Sequence, residues 1–207
     1  MDPTQQRVAV CGPVGSGKTT LVSALAAHWG VPALAEGMAP LVNAETRFRR
    51  LRQKTAVTQE ELKPAVQSCV KAYRQCVAAR EQAYRRPGGF VADRWEADLM
   101  DFWLVTMAPH ADDRVTGEFL YEVQRKSEQL SAIVILPLRR PGVAEDRNEM
   151  EMRRNLKFSG TLLNWLVTSA LARQFTKVPV LFVTNEAASV QERVQQVEHL
   201  LREAQRP

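Results

Sequence analysis

The chain has 207 residues, 45% hydrophobic and 25% charged, with a formal net charge of +5 at pH 7. That is enough apolar material for one sizeable core, and no Pro/Gly/Ser linker, repeat or low-complexity tract divides it, so a single domain over 1–207 is expected. The three cysteines lack zinc-site spacing, and Cys69 and Cys76, seven apart on one expected helix, lie about 10 Å from each other, too far to bridge. With no signal-peptide pattern and no apolar run near the roughly 18 residues of a membrane span, a cytoplasmic protein without a membrane partner is expected. The basic residues fall in separate groups, among them Arg47 to Lys54 and Arg147 to Lys157. Such a charge suits nucleic acid or a polyphosphate ligand equally and does not choose between them.

In chain order, residues 7–11 read as a short buried strand and 19–29 as a helix with apolar residues at helical spacing. Between them Gly12, Gly17, Lys18 and Thr19 match G-x-x-x-x-G-K-[ST], the P-loop signature, with Gly15, Ser16 and Thr20 completing the phosphate-binding turn. Glycines free the backbone N–H groups to curl round an anion, and the helix N-terminus adds its positive dipole end. Lys18 is placed to reach the β- and γ-phosphates of a bound ATP, and the Thr19 hydroxyl to ligate Mg²⁺.

Residues 31–35 read as a second strand running into Glu36, followed by a polar helical region. Thr58 with Glu61 forms a capping box that opens a long helix to about residue 85, stopped by Pro87-Gly88-Gly89. Residues 90–92 form a third strand ending in Asp93-Arg94, and helices are expected over 95–107 and 118–129. A fourth strand spans 132–138, an arginine-rich segment leads into a helix ending near 175, a fifth strand spans 179–183, and Val190, Val194, Val197 and Leu201 mark a closing helix. Strands alternating with helices predict an α/β fold, a parallel sheet of five strands with helices on both faces.

Ligands of such sheets sit beyond the carboxyl ends of the strands. Asp93 there fits a Walker-B carboxylate for Mg²⁺; a strand-ending aspartate that caps the next helix is the alternative. Glu36 is placed to accept the proton of an attacking hydroxyl, or is a solvated loop glutamate. Arg94 either clamps a phosphate bidentately or pairs with Asp98 one turn on. Trp95, with Phe102 and Trp103, either stacks on a substrate ring or belongs to the core. The stretch 139–155 combines Pro141-Gly142 with several arginines. It suits a lid that brings Arg147 and one of Arg153 and Arg154 to the γ-phosphoryl group; a solvated charged loop is the other reading.

These motifs, in this order, resemble the P-loop small-molecule kinases. The likeness is greatest to the nicotinamide riboside kinase domain of bacterial NAD-biosynthesis regulators and the related ATPase/kinase-like family. It rests on GPVGSGKTTLVSALA, on AEG after the second strand, on GFVADRWEADLMDFW, and on ILPLRRPGVAEDRNEMEMR, whose Glu145-Asp146-Arg147-Asn148 is similar to a DGxR lid element. The Asp93-Arg94 pair is more similar to thymidylate and deoxynucleoside kinases. The resemblance implies strand order 2-3-1-4-5, ATP and Mg²⁺ as cofactors, and a nucleoside-like acceptor held between the long helix and the lid, with a homo-oligomer compatible. It implies phosphoryl transfer to a hydroxyl, that of nicotinamide riboside being the leading candidate. A nucleoside monophosphate kinase, or an ATPase switch using the basic cluster 47–54, are the alternatives, and a nucleic-acid partner is not expected.

Overall fold

The computed structural model describes residues 2–54, 56–138, 149–184 and 189–206. Strand β1 (Arg7–Cys11) is an apolar run buried on both faces, as a central parallel strand requires. It is followed by helix α1 (Lys18–Trp29), the two-residue strand β2 (Ala33–Leu34), helices α2 (Ala39–Arg52) and α3 (Gln59–Tyr84), and strand β3 (Phe90–Asp93). Helices α4 (Glu96–Phe102) and α5 (Asp113–Ser127), strand β4 (Ala132–Ile135), helix α6 (Glu149–Phe175), strand β5 (Val180–Phe182) and helix α7 (Val190–Ala204) complete the order. All pairings are parallel and the sheet runs β2-β3-β1-β4-β5. This is the α/β class and the strand order that the resemblance implies.

Alternation along β1 divides the core. Val8 and Val10 pack with Leu21, Leu25, Val194 and Leu201 beneath α1 and α7. Ala9 and Cys11 face the other layer, where Phe48, Tyr73, Trp103 and Phe119 fill the space under the remaining helices. Because β1 is central, with Val10 opposite Asp93 on β3 and Cys11 opposite Ile135 on β4, the chain leaves three adjacent strands at nearly one level.

The capping box forms as expected, with the Thr58 amide donating to Glu61 Oε2 at 2.8 Å and the Glu61 amide to Thr58 Oγ1 at 3.3 Å. Elsewhere local hydrogen bonds move the boundaries. Strand β2 is shorter than the expected 31–35 because the Val31 amide donates to Ala26 O at 3.0 Å, closing the end of α1. Helix α5 begins at Asp113, not 118, because Asp112 caps it by accepting from the Arg114 amide at 2.8 Å. The helix expected over 95–107 is α-helical only to Phe102 and continues as a wider π turn over Trp103–Met107. Cys11, Cys69 and Cys76 are buried free thiols. No helix among the described residues is long and apolar enough to cross a membrane.

Entry into β3 depends on a close backbone approach. The Gly89 amide donates to Thr4 O at 2.8 Å, and a Cβ at Gly89 would collide with Gln6 O and lie 2.8 Å from Thr4 O. Gly117, inside α5, has nothing within 4 Å of the equivalent point. Gly89→Ala should therefore lower stability by about 1–3 kcal/mol, the usual cost of overpacking. Gly117→Ala should raise it by about 0.5–1 kcal/mol, as removing a helical glycine does. Urea melts of the two variants beside the native chain check both signs.

Candidate functional site

The residues between β1 and α1 wrap a turn whose backbone only glycine adopts easily, with φ of 142° at Gly12 and 88° at Gly17. At Gly12 a side chain has no room either: a Cβ would lie 3.0 Å from Leu136 Cβ and 3.2 Å from its carbonyl oxygen. Helix α1 starts on Gly17 with no side-chain cap and no acidic residue in its first turn. The N–H groups of Lys18, Thr19 and Thr20 are thus left for a ligand, and an anion is what they attract. Lys18 is buried and lies across the turn, its Nζ donating to Pro13 O at 2.7 Å. Burial, then the positive charge of Arg94, lowers its pKa from the ordinary lysine value. Ser16 is buried and Thr20 exposed.

Thr19 and Asp93, 74 positions apart, meet directly: Thr19 Oγ1 donates to Asp93 Oδ2 at 2.6 Å. Asp93 Oδ1 is buried without a hydrogen-bond partner. A hydroxyl and an otherwise uncommitted carboxylate oxygen at the edge of an anion-binding turn fit a Mg²⁺ ion that takes its other ligands from phosphate and water. Among the described residues no cluster of three His, Cys, Asp or Glu side chains could hold a metal unaided.

Arg94 continues from β3 in a left-handed conformation (φ 71°), its amide donating to Val10 O at 3.0 Å. Its guanidinium is nearly buried between two carboxylates: Nη1 donates to Asp98 Oδ1 at 2.8 Å, and Nε lies 3.0 Å from Glu36 Oε1. Burial works against its charge, but Asp98 and then Glu36 outweigh burial and raise its pKa. Of the two readings of Arg94 the structure holds the pairing with Asp98, and it adds Glu36 as a second ionic partner. The Glu36 side chain is 45% exposed, so the carboxylate stays open to a ligand. Arg94 also lines a cavity of about 270 Å³, together with Val14, Arg49, Asp101, Thr106 and Asn164. On its wall Asn164 Nδ2 donates to Asp101 Oδ2 at 2.7 Å, and burial raises the Asp101 pKa.

The expected stacking role of Trp95 needs correction. Trp95 has no exposed surface and belongs to the core cluster. Trp103 is equally buried, its Nε1 donating to Thr116 Oγ1 at 2.9 Å and its ring edge-on to Phe119. Large aromatic faces next to a helix start are worth more in the core than at the rim, and here the core takes them. Arg139, Arg140 and Arg147 lie outside the described residues; Arg153 and Arg154 fall within α6, which already begins at Glu149, so the last part of the expected lid is helical.

Two arginines were not singled out by the sequence reading. Arg193 of α7 donates from Nη1 to Ser16 O at 2.9 Å, bracing the turn from below. Arg80 of α3 donates from Nη2 to Glu36 O at 2.6 Å. Arg193, 177 positions from its partner, sits on the buried face of α7 with Val194, Val197 and Leu201. Arg80 likewise occupies an interior position of the apolar stripe of α3, so each leaves a sequence signal as a cation on an apolar helix face.

No family model matches the sequence, and no curated protein matches it. Solved structures do match. Deoxyadenosine kinase from M. mycoides aligns over 96% of this chain and 99% of its own, at 15% identity and a TM-score of 0.55. Shikimate kinase from Acinetobacter baumannii aligns over 99% and 97%, at 15% identity and 0.51. The fold is that of the P-loop small-molecule kinases. A third structure, NadR in complex with NR, aligns over 96% of this chain at 18% identity and 0.54, and this chain spans 51% of that one. Identities this low speak to the P-loop kinase fold and not to substrate.

In a P-loop kinase fold the turn 12–17 should hold nucleotide phosphates. Lys18→Ala is expected to weaken ATP binding at least tenfold, about 1.4 kcal/mol, with the fold retained, since the buried Lys18 side chain belongs to neither hydrophobic cluster. Asp93→Asn should abolish the Mg²⁺ dependence of that binding. Calorimetric titration of ATP with and without Mg²⁺ checks both, and native affinity in Lys18→Ala would remove the turn from the nucleotide site.

Proposed function

We propose that this protein is an ATP-dependent kinase that transfers the γ-phosphoryl group to the hydroxyl of a nucleoside-like small molecule, with nicotinamide riboside the first acceptor to test. One observation carries the reading: Glu36 and Arg94 face each other at 3.0 Å at the same sheet edge as Lys18 and the Thr19–Asp93 pair. A half-exposed carboxylate beside a phosphate-binding turn is what a hydroxyl nucleophile requires. Glu36 takes the hydroxyl proton as the oxygen bonds to the γ-phosphorus and the bond to the β–γ bridging oxygen breaks, releasing ADP.

Lys18 and the first-turn amides of α1 hold the β- and γ-phosphates. Thr19 and Asp93 would hold Mg²⁺, which would supply positive charge to the phosphate oxygens. Arg94 orients Glu36 and meets the acceptor oxygen. Arg147, with Arg153 or Arg154, adds positive charge to the equatorial oxygens of the group in flight, where it counts more in the transition state than in the ground state.

A phosphate acceptor, as in a nucleoside monophosphate kinase, would need uncommitted guanidinium groups. Arg94 is committed on two sides, to Asp98 and to Glu36, which favours the hydroxyl. The test is a panel of ribosides, deoxynucleosides and their monophosphates incubated with ATP and Mg²⁺, with ADP release and phosphorylated product both measured. Against the best acceptor, Glu36→Gln should lower kcat by roughly 10²–10⁴-fold, the usual worth of a general base, with the KM for ATP nearly unchanged. Unchanged kcat would remove Glu36 from proton transfer, and ADP release without any phosphorylated product would favour the ATPase alternative.

A further inference from the structure

The buried face of α3 repeats through Cys69, Tyr73, Cys76 and Tyr84, and Arg80 stands among them as if it were apolar. Only 6% of it is exposed. Its Nη2 reaches Glu36 O at 2.6 Å, while Nε and Nη1 have no hydrogen-bond partner. Glu96, the first residue of α4, is completely buried and neither carboxylate oxygen is hydrogen-bonded. The two make no direct ion pair; burial pushes the Glu96 carboxyl up and the charge of Arg80 opposes it, while the charge of Glu96 favours the cationic form of Arg80 against its own burial.

Two such buried charges are a poor device for stability, since apolar side chains of similar volume would hold a helix to this core as well or better. What apolar side chains cannot do is grip a loop carbonyl. Glu36 is held at both ends, its carboxylate by Arg94 and its carbonyl oxygen by Arg80, and the chain turns away at Gly37 with φ 64°. A reacting group displaced by about 1 Å can lose 10²-fold in rate.

We infer that Arg80, buried on the inner face of α3, is a positioning residue that fixes the loop carrying Glu36 so that its carboxylate meets the acceptor hydroxyl. The inference rests on the kinase reading above. Its test uses the double variant Arg80→Met/Glu96→Leu, which removes both charges together and so should melt within a few degrees of the native chain. Arg80→Lys, which leaves Glu96 a counterion, is the companion should the double variant fold poorly.

Amide hydrogen exchange over residues 35–38 should accelerate at least tenfold in both variants, with β3 and α1 unchanged. With the acceptor found in the panel, kcat should fall at least tenfold while the KM for ATP stays within twofold, and Arg80→Lys should retain more activity than the double variant. Native exchange over 35–38 overturns the inference whatever happens to kcat, and so does native kcat with accelerated exchange. If the native chain phosphorylates no acceptor, the kinase reading falls by itself, and the exchange result still decides whether Arg80 holds the loop.

Discussion

The first turn of α1 leaves its backbone N–H groups without a side-chain acceptor, and the chain must deliver that turn to a place where an anion can use it. It does so by putting β1 in the middle of the sheet, with β3 on one side and β4 on the other. Everything that follows β1 or β3 then emerges at one edge. The Thr19–Asp93 hydrogen bond, between residues 74 positions apart, is a direct consequence of Val10 lying opposite Asp93 in the register. A slip of one residue in that register would turn Asp93 to the opposite face and break the pair. The tight fit of Gly12 against Leu136 fixes the same level on the β4 side.

Concentrating cations at an anion site carries a cost before any ligand arrives. Lys18, Arg94 and Arg80 are all nearly buried, and each is offset in a different way. Lys18 donates to a carbonyl and carries a lowered pKa. Arg94 shares two carboxylates, one sealed and one half-exposed, so a ligand approaching Glu36 meets a group whose orientation is already set. Arg94 also holds a left-handed backbone that a side chain with a Cβ rarely adopts, a strain of the order of 1–3 kcal/mol. The surrounding contacts sustain it: the amide continues the sheet onto Val10 and the guanidinium is fixed by Asp98.

Much of this was legible in the sequence because it is encoded locally. The turn 12–19, the capping box at Thr58, the stop after Tyr84 and the acidic end of β3 each need only a few adjacent residues to be read. Where boundaries moved, a single nearby hydrogen bond was responsible, as with Val31 closing α1 or Asp112 capping α5. The aromatic residues after Arg94 stayed open to two readings for another reason. Position after a strand pointed Trp95 to the rim, but burial of a large ring in the layer under α3 to α6 outweighed position.

What no local pattern contains is the support beneath the site. Arg193 reaches the turn from α7 and Arg80 reaches Glu36 from α3, and both bonds run to backbone carbonyls, which any residue supplies. A carbonyl acceptor imposes no identity on its own position, so nothing at Ser16 or Glu36 announces that a guanidinium is needed there. The demand is visible only on the donor side, and only where the donor interrupts a regular pattern. Arg80 does so because an arginine within an apolar helical stripe must be either exposed at its tip or matched inside by a carboxylate. Arg193 does the same on α7, where it is buried with Val194, Val197 and Leu201 and stands one turn before Val197. The two arginines perform similar work on two neighbouring loops, and each shows itself by the same sign, a cation on the buried face of its own helix.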